Sequence, residues 1–79
     1  MKVEVIYFGM LGTQAGVHTE TVTTDALTLE DLFAERASAL GIALPVTSVR
    51  AAMDDEFRDW STSLEDGASI GFMPPFCGG

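Results

Sequence analysis

A chain of 79 residues, 47% of them hydrophobic, makes one small folded domain with room for a single core but not for a deep, enclosed active site. Twelve acidic side chains against four basic ones (Lys2, Arg36, Arg50, Arg58) give a formal net charge of −8. That field repels phosphate, so it excludes nucleic-acid and anionic-membrane binding and favours encounter with a basic protein surface.

The first segment, Lys2 to Phe8, alternates as a strand does. Val3, Val5 and Tyr7 point one way, and Lys2, Glu4, Ile6 and Phe8 the other. Gly9 to Gly16 is punctuated by glycine and reads as a flexible loop. Val17 to Thr24 is β-branched but largely polar, the pattern of an edge strand hairpinned onto the first.

A helix is expected over 29–40. Thr28 is a natural N-cap with Asp31 three residues on, and Leu27 can staple against Leu32. Leu29, Leu32, Phe33 and Leu40 share one face with Ala37 between them, and Gly41 supplies the stop. Glu30 and Asp31 suit the positive end of the helix macrodipole and need no chemical role.

Beyond a loop at Pro45, strands are expected at Val49 to Met53 and Phe57 to Trp60, joined by a turn at Asp54-Asp55. Glu65-Asp66-Gly67 makes another turn. A last strand follows, with Ala68, Ile70 and Phe72 on one side and Ser69, Gly71 and Met73 on the other. The result is an α+β domain in which a mixed sheet of four or five strands packs on one main helix. That is the element order of the β-grasp, or ubiquitin-like, fold.

Cys77 is the only cysteine, so no internal disulfide or cysteine-rich metal site can form. The charged N-terminus does not read as a signal peptide, and no apolar run is long enough to span a bilayer. A soluble, cytoplasmic protein is expected. Asp54-Asp55-Glu56 lacks the ligand spacing of a calcium loop and reads as a solvated turn. Gly9, Gly12 and Gly16 match neither phosphate-binding fingerprint. A Cys77–His18 dyad has no third group to orient it.

What remains is the tail, Pro74-Pro75-Phe76-Cys77-Gly78-Gly79. Two prolines end strand pairing and launch the chain outward in a stiff, extended form. From Met73 to Gly79 such a tail reaches about 20 Å, and its glycines can thread a channel too narrow for side chains. The division expected is a domain over 1–73 and a tail over 74–79.

Phe72 to Gly79, preceded by Leu64-Glu65-Asp66-Gly67-Ala68-Ser69-Ile70, resembles the end of the molybdopterin synthase sulfur-carrier subunit, the MoaD family. The opening strand ending in Tyr7-Phe8-Gly9, the glycine-bearing loop and the single helix extend the likeness over the whole chain. The thiamin-pathway sulfur carrier also ends in Gly-Gly, but Pro-Pro favours the molybdopterin branch. The resemblance implies that an activating enzyme spends ATP to adenylate the Gly79 carboxylate and converts it to a thiocarboxylate. It implies further that Gly78-Gly79 is inserted into the large synthase subunit, within a heterotetramer, to donate sulfur to a pterin precursor. The chain itself would bind no cofactor and no metal, and ending at Gly79 it would need no processing protease. Two places depart from the family pattern: Met10 to Gln14 carries no basic residue, and Cys77 sits beside the glycines.

Ile6, Phe8 and Met73 lie opposite the helix-facing residues, with Phe57 nearby. They are the expected partner-binding face, continued by Pro74, Pro75, Phe76 and Cys77. Two other readings use the same tail differently. A protein modifier would be conjugated through Gly79, and a non-covalent adaptor would leave it inert.

Overall fold

The computed structural model describes residues 1–74. Strands β1 (Lys2–Tyr7), β2 (Thr19–Thr23), β3 (Arg50–Met53), β4 (Glu56–Arg58) and β5 (Ser69–Met73) form one sheet in the order β2-β1-β5-β3-β4. The central pair, β1 and β5, is parallel, and every other pairing is antiparallel. Helix α2 (Leu29–Leu40) crosses one face, a shorter helix α1 (Met10–Ala15) follows β1, and a 3-10 turn at Val46–Ser48 leads into β3. This is the β-grasp architecture.

The strand pattern works as the alternation predicts. Val3, Val5 and Tyr7 of β1, Ile70 and Phe72 of β5, and Ala51 and Met53 of β3 are all buried on the helix side. Against them α2 places Leu29, Leu32 and Phe33. Phe72 is the hub of an aromatic cluster. The Phe33 ring meets it edge-on at 5.0 Å, Trp60 stacks at 5.9 Å and Tyr7 lies at 6.1 Å. Such contacts add to the apolar area removed from water.

Helix α2 has the expected bounds. Its first three amides, which have no partner within the helix, are all satisfied: the Leu29 N–H donates to the Thr62 carbonyl, Glu30 to Trp60, and Asp31 to the Thr28 hydroxyl. Gly41 takes the left-handed conformation (φ 77°) that closes the helix. Leu27, in contrast, is 70% exposed and does not act as a staple; its carbonyl instead accepts the Leu64 amide at 2.9 Å.

Gly9 to Gly16, expected as a loop, contains the helix α1 (Met10–Ala15) between its two glycine caps. Leu11 is buried in the core with Ala15 packed against it, and burial of that one leucine over six residues is too brief to show a period. Gly12 also admits the His18 imidazole onto the turn, since a Cβ there would collide with the ring nitrogen Nδ1. The expected strand from Phe57 to Trp60 is shorter, because Trp60 leaves the sheet to join the Phe72 cluster.

An unexpected polar bridge ties α2 to the sheet. The Tyr7 hydroxyl donates to Glu20 Oε2, and Arg36 holds both oxygens of that carboxylate at 3.2 Å. Burial, and then the Glu20 hydrogen bond, raise the Tyr7 hydroxyl well above the ordinary phenol value of 10.0. A raised value stabilises the fold while the phenol keeps its proton, and the contribution is lost as pH climbs past the free-phenol value. Tyr7→Phe should cost about 1 kcal/mol at neutral pH, or about 4–8 °C in melting temperature. Melting curves taken at rising pH should show the gap to wild type narrowing above about pH 10.

Candidate functional site

With one face of the sheet under α2, the other faces outward. Phe8 is 42% exposed and Phe57 54%, while Ile6 and Met73 are partly covered. The register explains why they meet: Ile6 is paired with Gly71, Gly71 with Ala52, and Ala52 with Phe57. Small residues in the middle and large ones around them leave a trough of about 130 Å³, lined by these groups with Phe8, Met73, Asp55 and Ser69. Gly71 is the seat of the Phe8 ring, because a Cβ on it would stand 2.9 Å from Phe8 Cε2. Phe57 carries the Arg50 guanidinium 4.0 Å above its ring centre, a cation–π contact.

The chain leaves this face at a defined point. Phe8 N–H donates to the Phe72 carbonyl at 3.0 Å, the last bond between the parallel strands. The next donor along β5 would be residue 74, but Pro74 has no N–H. The Phe8 carbonyl accepts from Leu11 instead, at 3.1 Å, which starts α1. Pro74 thus stands at the edge of the apolar face, with its Cγ 3.3 Å from where a Cβ on Gly9 would be.

The sequence-predicted groups divide accordingly. Ile6, Phe8, Phe57 and Met73 come together on one surface, and Pro74 flanks Gly9. Pro75, Phe76, Cys77, Gly78 and Gly79 lie outside the described residues, and with Cys77 goes the dyad to His18. Gly9, Gly71, Ala52 and Arg50 have no place on this face in the sequence reading; alternation sets Gly71 on the side of Met73, but only the cross-strand register brings it next to Ala52 and under Phe8. Asp54 serves the fold: its carboxylate accepts the Ser69 amide at 3.0 Å. Among the described residues no three His, Cys, Asp or Glu groups gather as metal ligands. No helix there is long and apolar enough to cross a membrane. A larger groove, about 480 Å³, runs past Arg50, Arg58, Asp59, Trp60 and Thr62; the Thr62 amide donates to the Asp59 carbonyl at 3.0 Å, a turn contact between backbones rather than a hydroxyl held by a carboxylate. The buried, proton-retaining Tyr7 is no better suited to catalysis.

A β-grasp domain whose described residues leave an apolar face open beside Pro74 has the form of a carrier or docking protein. The ThiS family profile matches residues 5–79. The chain therefore belongs to the ThiS family, the small ubiquitin-like sulfur carriers that include the MoaD proteins. In the complex of subunits 1 and 2 of molybdopterin-converting factor from Helicobacter pylori, the matched chain is 30% identical, with 100% of each chain covered and a TM-score of 0.70. The putative molybdopterin converting factor subunit 1 of Pyrococcus furiosus is 25% identical over 95% of this chain and 98% of that one, with a TM-score of 0.77. The small archaeal modifier SAMP1 of Haloferax volcanii superposes with a TM-score of 0.80 over 100% of both chains, and at 20% identity it speaks for the fold alone. Comparison with curated protein sequences gives no match.

Gly71→Ala should leave the fold intact, because Phe8 is exposed and its ring can swing away, and alanine suits a strand at least as well as glycine. The ring resonances of Phe8 should shift while the β5 amides hold their places in an NMR spectrum. A broad change across β5 would mean that the seat belongs to the core.

Proposed function

We propose that this chain is the sulfur carrier of molybdenum cofactor biosynthesis, working through the Gly79 carboxylate. The observation that carries the reading is the junction of two features in a ThiS-family domain. The apolar face of Ile6, Phe8, Phe57 and Met73 lies beside the exit of a Pro-Pro tail that ends in Gly-Gly. Of the comparisons, the Helicobacter pylori subunit complex favours the molybdopterin branch.

Each part of the chain then has a task. A carboxylate is a poor electrophile, so the Gly79 oxygen attacks the α-phosphorus of ATP on an activating enzyme and expels pyrophosphate. A sulfur nucleophile then displaces AMP from the acyl carbon, and a thiocarboxylate remains. The glycines let this end pass a narrow channel, while the outer face holds the domain against the large subunit that binds the pterin precursor. The acidic field, with a net charge of −8, speeds encounter with basic partners.

Intact mass spectrometry after incubation with ATP, a sulfur donor and the cognate activating enzyme should show one oxygen of the C-terminus exchanged for sulfur. Extending the chain beyond Gly79, or deleting Gly79, should abolish this exchange and dithiolene formation without changing the melting curve. One added residue moves the carboxylate by about 3.5 Å, whereas transfer tolerates about 1 Å. Cys77→Ser should stay active. A fully active extended protein would end the carrier reading, and mass gained only as conjugates to other proteins would replace it with the modifier reading.

The face is tested separately. Phe8→Asp or Met73→Asp sets a charge in the centre of the apolar trough and should weaken affinity for the large subunit by about 2 kcal/mol or more with cooperative unfolding preserved. Unchanged affinity of both variants by calorimetry would place the partner elsewhere.

A further inference from the structure

Gly9 has a backbone that only glycine adopts without strain, φ 54° and ψ −131°. Its bare α-carbon faces the Pro74 ring, with Cγ at 3.3 Å and Cδ at 3.9 Å from a Cβ built there. Three constraints fix these residues relative to one another. The parallel ladder ends at the bond from Phe8 N–H to the Phe72 carbonyl. Leu11 N–H holds the Phe8 carbonyl that Pro74 cannot reach as a donor, and Leu11 is itself fully buried. The Gly12 N–H donates to the Gly9 carbonyl at 3.1 Å, so the turn is closed on both sides of Gly9.

We propose that Gly9 is a positioning residue for sulfur transfer: by giving the Pro74 ring a seat against the turn that starts α1, it sets the direction in which the C-terminal tail leaves the sheet. The proposal rests on the sulfur-carrier reading for its purpose, but not for its geometry. A carrier must present its terminal carboxylate to two different enzymes, and a tail that starts in the right direction has fewer arrangements to search before reaction. A ring seated on a bare α-carbon restrains the chain at its root, ahead of any partner. An alanine at position 9 would disturb the seat in two ways, through backbone strain and through a methyl group pressed on Pro74.

The single cysteine, Cys77, allows a direct test. A nitroxide attached to it broadens the amide signals of whatever surface the tail visits. Gly9→Ala should move the broadened set of amides away from that of the wild type. In the Pro74→Ala background the same substitution should move the set much less, because the ring it presses on is gone and only the backbone strain at position 9 remains. Pro74→Ala alone should also spread the broadening, which keeps the test decisive if Gly9→Ala does not fold. An unchanged pattern in Pro74→Ala, or in a folded Gly9→Ala, overturns the proposal. So does a Gly9→Ala effect of equal size with and without the Pro74 ring.

Unlabelled protein gives the second readout. Sulfur transfer by folded Gly9→Ala should lose roughly ten- to a hundred-fold in kcat, with KM for the large subunit unchanged because the apolar face is intact. A loss in KM alone would assign Gly9 to docking and overturn the steering role. Should wild-type protein acquire no sulfur at Gly79, the carrier reading falls, while the broadening experiment still decides whether Gly9 and Pro74 direct the tail.

Discussion

The parallel pairing of β1 with β5 brings the first and last strands side by side at the centre of the sheet. Its register, from Glu4 with Ser69 to Tyr7 with Phe72, joins residues with nearly the whole sequence between them. Closing so long a loop is entropically costly, and hydrogen bonds alone do not offset that. What holds the pair is the burial of Val3, Val5 and Tyr7 beside Ile70 and Phe72 under Leu29, Leu32 and Phe33. Phe72, with aromatic neighbours on three sides, is the keystone. β5 is consequently held between β1 and β3 and under the helix, and it is the strand that ends just before Pro74.

The same pairing accounts for the exposed surface. One helix can cover one face of a five-stranded sheet, and the described residues put no second layer on the other. The uncovered face therefore has to be tolerated by water or covered by another protein. Here it carries Phe8 and Phe57 with small residues between them, an arrangement suited to the latter. On the proposed reading the sheet face supplies contact area and the Gly79 carboxylate supplies the reacting group, so affinity and chemistry fall to different parts of the sequence.

Much of this was legible in the sequence because the signals were local and periodic. Thr28, Asp31 and Gly41 bracket α2, and alternation in β1 and β5 sorted the core from the outer face before any pairing was known. Phe8 and Met73 were identified that way, as residues on the wrong side of a strand to be core. The short helix α1 was not legible: it depends on Leu11 finding the core and on Gly12 making room for His18, neither of which leaves a repeating pattern. The link from Tyr7 to Glu20 and Arg36 escaped for a similar reason. Tyr7 was placed correctly in the core, but its polar partners sit on an edge strand and a helix far away in sequence. Gly9 read as one turn glycine among several, since its contact with Pro74 exists only once the two ends are paired.

The segment from Asp59 to Leu64 has little regular structure, yet it is bound into the fold as firmly as a strand. The carbonyls of Trp60 and Thr62 take the first amides of α2, Leu64 donates to Leu27, and Trp60 lies against Phe33 and Phe72. Neither the helix start nor this segment can let go alone, because each leaves the other with unpaired polar groups. They are therefore expected to open as one cooperative unit, with their amides exchanging with solvent together. Irregular backbone here marks no flexibility.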